Sequence, residues 1–269
     1  MHDISVIMSA YNSEKYIEKA IESILDQSFA DFEFIIVDDA SKDNTLDIIE
    51  SYQKSDQRIK LLRNKNNLGL TKSLNKALNE SQNNYIARMD ADDISHPERL
   101  ETQINYLKDN PEIDILGTSA YNINEQGDIL KGRTVPLSCS DIKNTILLAN
   151  PVIHSSVIMK KSSLNSIDNY NETFKKVQDY ELWFRSLAND LIIENLPDKL
   201  LYYRVNDEYF NRKSLKYRMT EFKVRLKGYK YLNTPIHKRY GLLIPLILGL
   251  TPKFLLKPAY KFMKKFDPR

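Results

Sequence analysis

Only one cysteine, Cys139, occurs in the 269 residues, so no disulfide can close within the chain. With four scattered histidines as its only company, a structural zinc site lacks ligands. Glycine is equally sparse at seven residues, which argues against collagen-like, linker-rich and β-propeller designs. Neither a Gly-x-x-x-x-Gly-Lys phosphate loop nor a Gly-x-Gly-x-x-Gly turn is present. A phosphate ligand would then need a metal ion to balance its charge, which disfavours an ATPase or a dehydrogenase. No signal peptide precedes the strand-like run Ile4–Ser9, and with the lone cysteine this favours a reducing, cytoplasmic setting.

What is present suits one sizeable α/β core with a smaller appendage: 42% of residues are apolar. The net charge of +3 hides a strong asymmetry. Residues 212–269 hold 16 Lys/Arg against two acids, Glu221 and Asp267, leaving 23 basic and 34 acidic residues in the first 211. Two electrostatically distinct regions are joined.

Along the first hundred residues, strand and helix signals alternate. The strand-like runs are Ile4–Ser9, Phe32–Val37, Ile59–Arg63 and Tyr85–Met89. Between them, Ile17, Ala20, Ile21 and Ile24, then Ile48, Ile49 and Tyr52, then Leu70, Leu74, Ala77 and Leu78 recur at helical spacing. Such alternation implies parallel strands joined by right-handed crossovers, with ligands at the carboxyl ends of the strands. Ser95, Pro97 and Glu98 predict a capped helix start. Beyond Pro111, the sequence predicts strands over Ile113–Ala120 and Val152–Met159, a turn at Gln126-Gly127, and a helix over Tyr180–Leu187.

Acidic residues collect where strands end. Asp38-Asp39 follows the second strand and Asp90-Ala91-Asp92-Asp93 the fourth. Like charges so close are costly without a cation or hydrogen-bond donors, and Asp-x-Asp suits a hard divalent ion on a nucleotide diphosphate. Solvated loop acids are the plain alternative for either pair taken alone.

Four segments together resemble the inverting family 2 glycosyltransferases of the GT-A fold, of the kind that build bacterial surface polysaccharides. They are Ser5–Asn12, Phe34–Thr45, Asn67-Leu68-Gly69, and Asp90–Asp93 followed by Pro97-Glu98-Arg99-Leu100. The resemblance implies an α/β GT-A domain at about 1–205, split into a nucleotide-binding half (1–110) and an acceptor half (111–205). It further implies a UDP-sugar donor, Mn²⁺ or Mg²⁺, and a glycan or lipid-linked acceptor. By the same token Ser9, Tyr11, Asp39, Asn67, Arg88, Asp90 and Ala91 would surround the nucleotide-sugar. Tyr11 would lie against uracil, Asp39 would accept from the base, Asp90 would face the ribose, and Asp92, with Asp90, would hold the metal. Asp93 reads as a supporting acid. Within Gln178–Arg185, Asp179 matches the family's general base, with Glu181 as rival and Gln178 replacing a frequent Glu. His154 either lines the acceptor site or is simply packed. Asn206 stands where many relatives have a His two residues after Arg204, which predicts altered contacts to the metal or diphosphate.

The remainder, 206–269, is basic and apolar. Gly241–Leu250 is an uncharged run of ten residues broken by Pro245, and Lys253–Phe266 mixes aromatics with lysines. A bilayer span needs roughly 20 apolar residues, so an interfacial contact, peripheral on the inner face of the membrane, is expected. A buried helix hairpin is the alternative, and nucleic acid is not expected as a partner. Rival readings of the whole chain are a sugar nucleotidyltransferase and a non-catalytic scaffold of the same fold.

Overall fold

The computed structural model describes residues 3–205 and 215–251. Asn206 and the Lys253–Phe266 stretch therefore lie outside the described residues. Strands β1 (Ile4–Ala10), β2 (Phe32–Asp38), β3 (Ile59–Arg63) and β4 (Tyr85–Asp90) alternate with helices α1 (Ile17–Leu25), α2 (Thr45–Ser55) and α3 (Leu70–Glu80). The strands lie in the order β3-β2-β1-β4, all parallel. Continuous apolar runs such as Val6-Ile7-Met8 need cover on both faces, as parallel strands do. Val6 and Met8 pack with Ile17, Ala20 and Ile21 of α1, whereas Ile7 joins Leu74, Ala77 and Leu78 of α3 on the other face.

The sheet continues through the second half. A short β5 (Ile94–Ser95) leads to α4 (Arg99–Asp109), β6 (Ile115–Ile123), β7 (Ile129–Arg133) and α5 (Cys139–Thr145). Next come β8 (Ile158–Lys160), α6 (Lys161–Ser166), α7 (Gln178–Ala188) and the long β9 (Ile193–Arg204). Beyond β4 the order is β8-β6-β9-β5, with β7 also pairing β6. The strand β8 runs antiparallel to both β4 and β6, and β6 and β9 are parallel.

Two local expectations are corrected. Ser95 does not cap α4. It belongs to β5, and Gln27 of the loop after α1 supplies the cap, its Oε1 accepting from the Leu100 N–H at 3.0 Å. The Gln27 amide also donates to Ser95 Oγ and the His96 carbonyl, so one side chain ties α1, β5 and α4 together. The strand expected over Val152–Met159 is cut to β8. Ser156 Oγ donates to the Ile153 carbonyl and Ser155 Oγ to Asp93, folding His154–Ser156 into a 3₁₀ turn. The turn at Gly127 is formed, with φ at +101°.

The basic segment begins with α8 (Leu215–Tyr231), then a 3₁₀ turn at Ile236–Leu242 and α9 (Leu243–Leu250). The helix α8 packs on α7: Tyr229 meets Phe184 at 6.2 Å between ring centres, and its hydroxyl donates to the Leu147 carbonyl. Arg225 is buried, donating to the Leu147 and Gly241 carbonyls and to Glu221, which Arg218 also pairs. Among the described residues no helix is long and apolar enough to cross a membrane.

Gly228 lets α8 approach α7. A Cβ placed there would meet the Phe184 ring at 2.3 Å. Alanine in a helix gains about 1 kcal/mol over glycine, whereas overpacking typically costs about 1–3 kcal/mol. Gly228→Ala is therefore expected to lower stability in urea unfolding. A gain of the full helix-propensity increment would show that the two helices do not pack this closely.

Candidate functional site

The site lies where β2, β1 and β4 end side by side. Register pairs Ala10 with Asp38 and Ser9 with both Val37 and Asp90, so the two acidic segments flank β1 on one sheet edge. With neighbouring strands about 4.8 Å apart, they are separated by roughly 10 Å. Ser9 is half-buried, and Tyr11, just past the edge, is 42% exposed and presents its ring to solvent. Asn67 is exposed on the loop after β3, and Ala91 is buried beneath the acidic turn.

The loops that carry these residues are laced together. Asn12 Oδ1 accepts from the Lys42 N–H, Thr45 Oγ1 from Ser13, Asp43 from Glu14, and Glu14 from Asn44. Asn12 and Ala40 both sit in left-handed backbone, at φ of 50° and 62°. Asp39 is buried and its carboxylate accepts from Asn64 Nδ2 at 2.7 Å and from the Leu68 and Gly69 N–H groups at 2.8 Å. An ionised carboxylate offers about four lone-pair sites, so three internal bonds leave room for one more donor.

The carboxylate oxygens of Asp90, Asp92 and Asp93 come within 4.8 Å of one another. Each is held differently. Asp90, part-exposed, accepts two bonds from the Arg88 guanidinium, whose side chain is 2% exposed. The guanidinium of Arg88, expected beside the nucleotide-sugar, is thus buried and turned onto Asp90. Asp93 is buried, accepting from Ser155 Oγ at 2.5 Å and from the Arg204 N–H at 2.8 Å. Burial pushes its pKa well up, and the charges of Asp92 and Asp90 add to that. Asp92 remains partly exposed, its carbonyl accepting from Arg204 Nε at 2.7 Å. Two outward carboxylates, one inward neighbour and mutual repulsion form a hard-oxygen set suited to a divalent cation. Asp90 and Asp92 would hold the ion.

Asp179 opens α7. Val177, the residue before that helix, is β-branched yet sits at φ 62°, a strained turn that aims the helix start. The half-buried Asp179 carboxylate accepts from Asn150 Nδ2 at 2.6 Å. Burial raises its pKa, while the helix-start N–H groups, Asn150 and the Arg88 charge oppose the rise. The Arg88 charge thus acts on Asp179 as well as on its partner Asp90, and Tyr170, pushed upward chiefly by burial, feels both carboxylates. The expected base and the expected metal ligands are brought together.

Glu181 is not similarly placed. It is buried and pairs with Arg185 at 3.0 Å, which also donates to the Ile167 and Asn169 carbonyls. His154 is 9% exposed, bonded through Nε2 to the Tyr170 hydroxyl at 2.7 Å and edge-on to Trp183. Burial, then Arg88, lowers its pKa well, so the imidazole is neutral.

Sequence reasoning missed Arg99, Tyr170 and Asn150, and undervalued Arg204. Arg204 grips the Asp92 carbonyl and the Asn124 and Glu125 carbonyls of the β6–β7 turn, and lies 4.4 Å from the Tyr16 ring. Arg99 is fully buried, donating to the Arg88 and Ser155 carbonyls, and burial beside Arg88 lowers its pKa to about 10. Pro97-Glu98-Arg99-Leu100 was a signal for Arg99, but none marked Tyr170.

The family model for glycosyl transferase family 2 matches residues 5–175. The chain belongs to glycosyltransferase family 2. Among its relatives, an uncharacterized glycosyltransferase of Methanocaldococcus jannaschii is 37% identical over 265 residues, covering 94% of this chain and 91% of that protein. The amylovoran biosynthesis glycosyltransferase AmsE of Erwinia amylovora is 33% identical, covering 78% of this chain and 79% of its own. The fold is that of solved GT-A enzymes. S. aureus TarS 1-349 in complex with UDP superposes with a TM-score of 0.67 at 24% identity, covering 96% of this chain and 78% of that one. The mannosyltransferase PcManGT from Pyrobaculum calidifontis, in complex with GDP-Man and Mn²⁺, superposes at 0.65 with 14% identity, covering 98% and 82%. As a family 2 member the chain is a glycosyltransferase.

The acidic turn gives opposite outcomes for two neighbours. Asp90→Asn strands the buried Arg88 charge and is expected to cost about 3 kcal/mol without metal. Asp92→Asn removes a charge that repels Asp93 and is expected to leave metal-free stability equal or higher. Urea unfolding in chelator distinguishes them, and equal losses would contradict the division of roles.

Proposed function

We propose that this glycosyltransferase moves a hexose or N-acetylhexosamine from a UDP-sugar to a lipid-linked glycan, with inversion, in surface-polysaccharide synthesis. The observation that carries the reading is the placement of Asp39, Asp90 and Asp92 on one sheet edge, with Asp179 within the field of Arg88, the partner of Asp90. Tyr11 offers an exposed ring for the uracil face, and Asp39 keeps one acceptor position for a base N–H. Ser9, Asn67 and Ala91 line the same edge. UDP in TarS and the synthesis of amylovoran by AmsE support donor and setting.

Asp179 takes the proton from an acceptor hydroxyl as that oxygen attacks the anomeric carbon and the bond to the diphosphate breaks. One displacement from the opposite face inverts the configuration. A divalent ion at Asp90 and Asp92 would offset charge on the departing diphosphate, and the presence of Mn²⁺ in the PcManGT complex supports such an ion. Partial burial makes Asp179 a stronger base than a free aspartate. His154, neutral and packed, supports the wall through Tyr170 instead of exchanging protons. The basic segment 212–269 would hold the enzyme peripherally at the inner face of the membrane, where a lipid-linked acceptor resides.

Asp179→Asn is expected to lower kcat by at least about 100-fold while UDP affinity, read by calorimetry with Mn²⁺, is retained. Because only the deprotonated base works and its pKa is raised, kcat should fall on the acid side above the ordinary aspartate range. Glu181→Gln, which breaks an internal ion pair, should reduce stability and leave that acid limb in place. If Glu181→Gln removes the limb instead, the base assignment moves. A thermal-shift panel of UDP- and GDP-sugars with Mn²⁺ tests the donor: a response to GDP-sugars alone would overturn the uridine reading.

A further inference from the structure

The ten residues Gly241–Leu250 carry no polar side chain. A helix that is apolar on every side needs an apolar neighbour on every side. Among the described residues, α9 packs chiefly on α8. Pro245 and Leu248 are buried, and Gly249 lies tight against Leu215 and Arg218 of α8. The opposite side is bare: Ile236 is 82% exposed, Tyr240 62%, Leu243 55%, Ile247 57% and Leu250 77%. These positions advance by four, three, four and three residues. From Tyr240 to Leu250 that spacing keeps them on one face of α9 and the turn before it, and Ile236 is exposed at the start of the rod. Leu215, also exposed, adjoins the end of that line. Single exposed apolar residues are ordinary, whereas a continuous row marks a surface that something covers.

Charge decides what covers it. Of the two acids among residues 212–269, Glu221 already pairs with Arg218 and Arg225. A second copy would bring a like-charged basic segment against this one, whereas an anionic lipid surface brings the opposite sign. The rod is about 26 Å long, at roughly 2.0 Å per residue over its 3₁₀ part and 1.5 Å over α9, short of the roughly 30 Å hydrocarbon core. It therefore lies in the plane of the interface. Tyr240, with an apolar ring and a polar tip, suits the head-group level.

We propose that the Ile236–Leu250 rod is the element that enters an anionic bilayer surface, with Ile236, Tyr240, Leu243, Ile247 and Leu250 facing the acyl chains. This rests on the reading that the basic segment meets a membrane, and it names the face that does so. Flotation of the full chain with vesicles of equimolar phosphatidylglycerol and phosphatidylcholine tests it, beside Leu243→Gln/Ile247→Gln/Leu250→Gln. The triple variant should bind at least tenfold more weakly, with unfolding midpoint and UDP-sugar hydrolysis unchanged. Independently, Tyr240→Trp should show a blue shift on these vesicles and quenching by brominated lipid, against the constant background of the buried Trp183.

If the triple variant floats as the wild type does, or the fluorescence of the Tyr240→Trp variant stays unchanged on bound vesicles, the rod assignment is overturned while the membrane reading survives. If the wild-type chain itself does not float, both fall. A wild-type dimer that the triple variant dissolves into monomers, measured by light scattering, would make a second copy the occupant and overturn the lipid assignment.

Discussion

Three carboxylates crowded into one turn after β4 repel each other, and the architecture around them is arranged to hold that repulsion in place. Arg88 reaches from inside the strand to Asp90, and Arg204 returns from the far end of β9 to grip the Asp92 carbonyl and the Asp93 carboxylate through its N–H. Asp93 is turned inward onto Ser155, leaving Asp90 and Asp92 facing out. An acidic turn without such anchors would splay apart. With them, two negative oxygen sets stay close enough to share a cation, and the energetic cost is carried by cations buried in the protein.

The same cations join the two halves of the chain. Arg88 lies under the acidic sheet edge yet influences Asp179, which belongs to the second half, and Arg99 bonds the carbonyls of both Arg88 and Ser155. The neutral His154 and Tyr170, hydrogen-bonded and in edge contact, are buried within reach of the Arg88 charge. The proposed base, Asp179, is thus set by the geometry around it, with the strained backbone at Val177 fixing where its helix begins.

Much of this was legible in the sequence. The periodicity of Ile17, Ala20, Ile21 and Ile24 located the buried face of α1, and the apolar runs ending in acids located the sheet edge. Those features are local, and local patterns survive in one dimension. The cap of α4 was not legible because its acceptor comes from Gln27, 73 residues before Leu100. The strand expected at Val152–Met159 shortened because Ser155 bonds Asp93, 62 positions away. Arg204 and Tyr170 matter for contacts equally remote. Burial of Arg218 and Arg225 within a segment expected to meet a membrane interface is of the same kind.

Asp39 has a consequence beyond its own contact. Its carboxylate already organises the Asn64–Gly69 loop through one side-chain amide and two main-chain N–H groups. If Asp39 meets a nucleobase as proposed, its acceptor is rigid before any ligand arrives, which spares the ordering cost of binding. The same economy makes the position hard to vary: a chain that exchanged Asp39 to suit another base would loosen a loop at the moment it altered its choice. Drift in nucleotide preference within such a scaffold is thereby steered toward Tyr11 and Asn67, whose exposed side chains can change without unpicking the frame.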